Sequence, residues 1–314
     1  MLACNGHDTL MWSALPEEIS RLRETREHPC LPGVRLPETL ELTANLKEAC
    51  EGRELLVFAV PSVYIRSVAA QAGPYVSPGQ LLVSVAKGIE PDSFLTMTEV
   101  IAQELGVPAK RVCALSGPTH AEEVSRDLPT AIVCAGEDPA AVAAVRSVFC
   151  NAVMRPYTNS DVRGVELCGA LKNIIALAAG ISDGIGYGDN AKAAIITRGM
   201  AEIARLGAAM GCAKQSFYGL AGIGDLIVTA TSRHSRNNRA GYLIGSGLSA
   251  EEAVRQVGMV VEGLNALPAA IGLSERFGVE MPITFAVNDI VRRNQDRRET
   301  VYRLMTREYK PETE

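Results

Sequence analysis

Leu55-Leu-Val-Phe-Ala-Val60, closed by Pro61, and Leu81-Leu-Val-Ser-Val-Ala86, followed by Lys87-Gly88, are the two runs that decide the fold. Each is short, continuously apolar and bounded by turn formers, as expected of a strand buried on both faces of a parallel sheet. Arg111–Leu115 leads a third run into Gly117-Pro118. Between them, Val63–Ala70 and Phe94–Leu105 have helical spacing. Ala131–Cys134 and Ala152–Pro156 add strands around a helix starting at Asp138-Pro139, an Asp N-cap with proline in the first helical position. Strands alternating with helices of this length predict βαβ units and a mostly parallel sheet. Upstream, Thr9–Trp12 reads as a strand, and Met1–Gly6 as a last helical turn closed by a left-handed glycine.

After residue 160 the pattern changes. Gly164–Ala179, Ala191–Met210, Ala250–Val257, Gly263–Phe277 and Thr284–Arg292 all have helical spacing, with no strand run among them. The expected organisation is therefore an α/β domain over 1–159 and an all-helical domain over 160–314, with Lys310–Glu314 as a frayed tail. A chain of 314 residues, 47% of them hydrophobic, can bury a sizeable core. The formal charge of −5 and an aromatic content of 5%, with Trp12 the sole tryptophan, argue against nucleic acid as a partner. No apolar run is long enough for stable membrane insertion, and no basic flank marks a secretory leader. The eight cysteines form no C-x-x-C pair and the four histidines no helical pair, so no metal site is expected. The thiols read as reduced, in a cytoplasmic protein.

A doubly wound nucleotide-binding domain should open on a strand and a glycine-rich turn. No G-x-G-x-x-G occurs: Ile227 stands in the third place after Gly222 and Gly224, and Asp189 after Gly184 and Gly186. Other residues carry candidate chemistry. Lys172 and Asn173 lie inside a strongly apolar helix, where polar groups are costly to bury without partners. A lysine held away from water is suited to giving and taking a proton; the plainer reading is a lysine that snorkels to solvent. Thr231–Arg239 reads as a basic loop whose Ser, Arg and Asn donors suit a phosphate, or else as solvated surface. Lys87 and Gly117-Pro118-Thr119 follow strands, at the carboxyl ends where open parallel sheets bind ligands.

Several longer motifs make a resemblance specific. Val83-Ser-Val-Ala-Lys87-Gly-Ile-Glu90, Leu115-Ser-Gly-Pro-Thr119-His-Ala121, Cys168-Gly-Ala-Leu-Lys172-Asn173 and Ser182-Asp-Gly-Ile-Gly-Tyr-Gly-Asp189 resemble NAD(P)-dependent glycerol-3-phosphate dehydrogenases. So do Gly224-Asp225, Ser235-Arg236-Asn237 and Val260-Val-Glu262, all in family order. The resemblance implies a Rossmann-type cofactor domain, N-terminally incomplete here, followed by the helical substrate domain. It implies hydride transfer with NADP or NAD between sn-glycerol 3-phosphate and dihydroxyacetone phosphate, supplying glycerol 3-phosphate for phospholipid synthesis. By position, Lys172 matches the catalytic acid/base. Lys87, Gly117, Thr119, Lys172, Asn173, Asp225, Ser235, Arg236 and Asn237 match substrate contacts, and Lys87, Ala121, Arg236, Val260 and Glu262 cofactor contacts. A homodimer is also the family's expectation.

Two features depart from the family. The initial strand and glycine turn are expected to be missing, and Ala14 stands where an Arg or His would meet an adenosine 2′-phosphate. Ala14 leaves the choice between NAD and NADP open. Two other readings compete: a truncated, non-catalytic protein that binds a phosphometabolite or a partner, and a β-hydroxyacid or 6-phosphogluconate-type dehydrogenase.

Overall fold

The apolar runs become strands with helices on both of their faces. The structure, a computed structural model, describes residues 1–309, 311 and 312; of the expected tail, Lys310, Thr313 and Glu314 lie outside the described residues. Two compact units are present, one of Met1–Glu90 with Leu95–Glu166, the other of Pro91–Phe94 with Leu167–Glu314.

In the first unit the order is β1 (Leu10–Trp12), α1 (Pro16–Thr25), β2 (Glu41–Thr43), α2 (Leu46–Cys50), β3 (Leu55–Phe58), α3 (Ile65–Ala72), β4 (Leu81–Ser84) and α4 (Met97–Leu105). Then come β5 (Val112–Ser116), α5 (Ala121–Val124), β6 (Thr130–Ala135), α6 (Pro139–Phe149) and β7 (Met154–Asn159). β1 and β2 form a parallel pair, and β3-β4-β5-β6-β7 a separate five-stranded sheet. The larger sheet is parallel except between β5 and β6, where Leu115 faces Cys134 in antiparallel register. Alternation along β3 distributes the core. Leu56 and Phe58 pack with Ile65, Ala69, Val100 and Ile101 of α3 and α4. Leu55 and Val57 turn to the opposite face, with Val142, Val145 and Phe149 of α6. Asp138 caps α6 as the sequence predicts, accepting from the Ala140 N–H at 2.9 Å.

The helix expected from Phe94 starts instead at Met97. Phe94 has φ +60°, outside the helical region, and Thr96 with Glu99 forms a capping box. A second carboxylate completes this helix start. Glu166 accepts from both the backbone N–H and the hydroxyl of Thr98. It is fully buried, and burial pushes its carboxyl up to about 7 against the opposing pull of those hydrogen bonds.

The second unit contains most of α7 (Val162–Ile185), then α8 (Asp189–Ala209), α9 (Lys214–Phe217), α10 (Asp225–Thr231), α11 (Arg236–Gly245), α12 (Ala250–Val257), α13 (Glu262–Phe277), α14 (Pro282–Arg292) and α15 (Arg297–Met305). A π-helical turn, Leu220–Gly224, leads into α10. α7 is apolar all round and long enough to cross a bilayer, but its apolar stretch is wholly inside the protein, as a central core helix should be. Glu202 on α8 caps α14, accepting from the Ile283 and Thr284 N–H groups, and burial again raises its carboxyl to about 7.

α7 and α11 touch backbone to backbone. A Cβ on Gly180 or Gly184 would lie 2.1 or 2.2 Å from the carbonyl oxygens of Asn238 and Tyr242. A Cβ on Gly241 or Gly245 would meet those of Leu177 and Ile181 at 2.1 and 2.2 Å. Only hydrogen fits at these four positions.

Two outcomes are expected. Gly241→Ala must push the two helices apart, lowering stability by about 2 kcal/mol or more, a loss that thermal unfolding will report. The second concerns pH. Folded Glu166 holds its proton up to about 7 against an ordinary value of 4.5, so its stabilising contribution is complete below the lower value and lost as pH rises through the upper. Wild-type stability should therefore fall across that window, by on the order of 3 kcal/mol from this group. Glu166→Gln should remove this group's share of the fall and leave the share of Glu202; identical pH profiles in denaturant titrations would show that the carboxyl carries no such burden.

Candidate functional site

In the first unit, Lys87, Gly117 and Thr119 gather at the carboxyl ends of β4 and β5. The Lys87 ammonium donates to the Gly117 carbonyl at 2.9 Å, and the Thr119 hydroxyl donates to the same oxygen at 3.1 Å. Gly117 has φ +145°, and a Cβ there would approach Ile132 Cα to 3.3 Å, so glycine is required by both conformation and space. The adjoining Ser116 hydroxyl is buried without a hydrogen-bond partner among the described residues. Ala121, exposed, is the first residue of the short α5. A lysine, a threonine and a buried serine hydroxyl at strand ends fit the polar parts of a dinucleotide or a phosphate.

In the second unit, Lys172 is the centre of a buried polar cluster. Its ammonium donates to Asp225 Oδ1 at 2.8 Å and to Thr229 Oγ1 at 2.5 Å. The Lys172 and Asp225 side chains are only 5% and 2% exposed, so each charge depends on the other for stabilisation. Thr229 donates its own proton to the Asp225 carbonyl at 2.6 Å, which leaves its oxygen free to accept from the lysine. Lys172 therefore does not snorkel. Thr229 is a site residue that sequence reasoning missed; it sits four residues after Asp225, one turn along α10, and that spacing could have revealed it.

Asn173, next to Lys172, heads a chain of amides. Its Nδ2 donates to the Gly169 carbonyl at 3.1 Å, and its Oδ1 accepts from Asn237 Nδ2 at 3.0 Å. Asn237 Oδ1 in turn accepts from the Gly263 N–H at 2.8 Å, in the first turn of α13. The chain ties α7, α11 and α13 together.

The basic stretch Thr231–Arg239 is not a single loop, as its composition suggests. Ser235 is the N-cap of α11, accepting from the Asn238 N–H at 3.2 Å, and Arg236–Arg239 form the first turn. Serine and asparagine act here as helix-start residues, which composition alone does not separate from loop formers. Arg236 is exposed and makes no hydrogen bond or ion pair among the described residues. Val260 is half-buried just before α13, and Glu262 opens that helix, accepting from Asn265 at 3.3 Å.

A cavity of about 1190 Å³ in the second unit is lined chiefly by apolar residues of α8, α14 and α15. None of the candidate catalytic, substrate or cofactor residues lies on its wall, and Glu202, which does, is taken up by the first-turn N–H groups of α14. No cluster of metal ligands occurs among the described residues.

The family model for the N-terminus of NAD-dependent glycerol-3-phosphate dehydrogenase matches residues 1–142, and that for its C-terminus matches residues 161–302. A relative named glycerol-3-phosphate dehydrogenase [NAD(P)+] 2, from Lactobacillus delbrueckii subsp. bulgaricus, is 58% identical over 99% of this chain and 94% of its own. Another, from Agathobacter rectalis, is 47% identical over 99% and 93%. Among solved structures, the Coxiella burnetii glycerol-3-phosphate dehydrogenase superposes with a TM-score of 0.93 at 36% identity, covering 98% of this chain and 94% of that one. The N-terminal match begins at residue 1, so the assignment does not depend on the expected missing strand and turn. The two competing readings, a non-catalytic binding protein and a β-hydroxyacid or 6-phosphogluconate-type enzyme, give way to these matches. The chain belongs to the NAD-dependent glycerol-3-phosphate dehydrogenase family.

Proposed function

We propose that this chain interconverts sn-glycerol 3-phosphate and dihydroxyacetone phosphate with NAD or NADP, supplying glycerol 3-phosphate for phospholipid synthesis in the cytoplasm. One observation carries the reading: a lysine ammonium buried in an apolar helix and held by Asp225 and Thr229, in a member of this family. The nicotinamide supplies or accepts the hydride. Lys172 Nζ supplies the proton, stabilising negative charge that develops on the substrate oxygen during reduction and taking the proton back in the reverse direction. Asp225 keeps the ammonium charged and aimed, and Thr229 fixes its second donor direction. Asn173 and Asn237 serve the same site, and their mutual hydrogen bond sets the spacing of α7 and α11.

The roles divide by domain, 1–159 for cofactor and 160–314 for substrate and catalysis. Lys87, Gly117 and Thr119 are assigned to substrate, and Lys87 and Ala121 to cofactor. Ser235, Arg236 and Asn237 are assigned to the substrate phosphate, where the exposed Arg236 guanidinium offers a fork for its oxygens. Arg236, with Val260 and Glu262, also serves the cofactor. The assembly is a homodimer without membrane insertion.

Lys172→Ala should abolish reduction of dihydroxyacetone phosphate, followed as loss of NAD(P)H absorbance, while NAD(P)H binding persists. Persisting binding separates lost chemistry from lost fold, and a near-normal kcat would remove the acid/base role. Arg236→Ala should raise KM for dihydroxyacetone phosphate about tenfold or more, the effect of losing one charge-assisted hydrogen bond. A larger change in KM for NAD(P)H would assign the arginine chiefly to the cofactor, and unchanged constants would make it solvated surface.

A further inference from the structure

The chain reaches Asp225 through the π-helical turn Leu220–Gly224, a rare geometry that concentrates at functional sites. The Asp225 N–H donates to the carbonyls of Leu220 and Gly222, so the carboxylate that holds Lys172 takes its place from this turn.

The turn rests on Phe217. A Cβ on Gly222 would overlap the Phe217 carbonyl oxygen and lie 2.8 Å from Phe217 Cα, so the two stretches of main chain meet with nothing between them. The Phe217 ring is wholly buried and reaches α8, where its tip presses on Gly207. A Cβ there would overlap Cζ and lie 2.7 and 2.8 Å from Cε1 and Cε2. Glycine at 207 therefore makes room for the ring, and glycine at 222 for the main chain that carries it. The neighbouring Ser216 carbonyl accepts at 3.9 Å from the thiol of Cys168, one turn before Lys172 on α7. Phe217 thus stands as a spacer, with α8 against its ring and the π-helical turn against its backbone. A close-packed interior passes a displacement at one end of such a contact to the other.

We propose that Phe217 is a positioning residue for the reaction: held between Gly207 and Gly222, its ring sets the place of the π-helical turn and thereby the aim of the Asp225 carboxylate on the Lys172 ammonium. The proposal rests on the dehydrogenase reading above. Lys172 acts on charge that develops as the hydride moves, and a misplacement of about 1 Å at such a point can lower a rate on the order of a hundredfold. The cofactor contacts Lys87 and Ala121 belong to the other unit, so loss of the spacer is felt in kcat before it is felt in cofactor affinity.

The test is steady-state reduction of dihydroxyacetone phosphate by full chains altered on either side of the contact, each assayed below its thermal unfolding transition. Phe217→Leu shortens the spacer and Gly207→Ala pushes it toward the turn. Each should lower kcat about tenfold or more, with KM for NAD(P)H moving less than about threefold. With both changes present, the alanine methyl takes up space that the leucine leaves, and kcat should return to within about threefold of wild type. Phe217→Met keeps nearly the same volume and decides the matter if the other changes do not fold; its flexible chain holds no fixed distance, so kcat should still fall. Variants that lose stability yet keep the wild-type kcat would overturn the inference, as would a double variant no faster than either single one. A wild-type chain that turns over dihydroxyacetone phosphate with neither cofactor would defeat the dehydrogenase reading, and this inference with it.

Discussion

Two opposite charges that cannot reach water, the Lys172 ammonium and the Asp225 carboxylate, organise the helical unit. An unpaired ion in so apolar a helix as α7 would destabilise the fold by several kcal/mol, so α10 has to dock where its first residue meets the lysine. Once it does, Thr229 falls into place one turn later, with a single hydroxyl bridging the ammonium and the backbone. The neighbouring amides of Asn173 and Asn237 carry the same constraint to α11 and α13. A reactive ammonium is thereby held by partners on a different helix, each fixed by further contacts, and little freedom remains in its direction.

Helix starts supply a second recurring device. α4, α13 and α14 each have first-turn N–H groups satisfied by a side chain remote in sequence: Glu166, Asn237 and Glu202. Four N–H groups are left over at every helix start, and a buried start must find acceptors. Meeting that need from elsewhere in the chain turns a local requirement into tertiary structure. Two of the three acceptors are acids that burial has moved toward neutrality.

Much of this was legible beforehand. The runs after Leu55 and Leu81 read as strands because each is short, rich in β-formers and bounded by turn residues, whereas a buried helix such as α7 runs on for many more residues. Asp138-Pro139 announced α6 by local rules alone. The lysine at 172 stood out because a charge in an apolar helix demands an explanation. What was not legible depended on partners distant in sequence. Phe94 continues an apolar period that would suit α4, yet its positive φ excludes it from the helix, which starts on Thr96. Ser235 looked like loop until a helix was seen to begin on it. The antiparallel entry of β6 has no signature in its own residues.

The contact between α7 and α11 has an implication for what this sequence can become. At Gly180, Gly184, Gly241 and Gly245 the neighbouring main chain occupies the space that any side chain would need. Most buried positions accept a substitute of similar volume, at a cost the neighbours can share by repacking. Backbone carbonyls cannot repack. Along this one seam the amino-acid alphabet is reduced to a single letter, and the helix that carries the lysine inherits a boundary on which drift has no purchase.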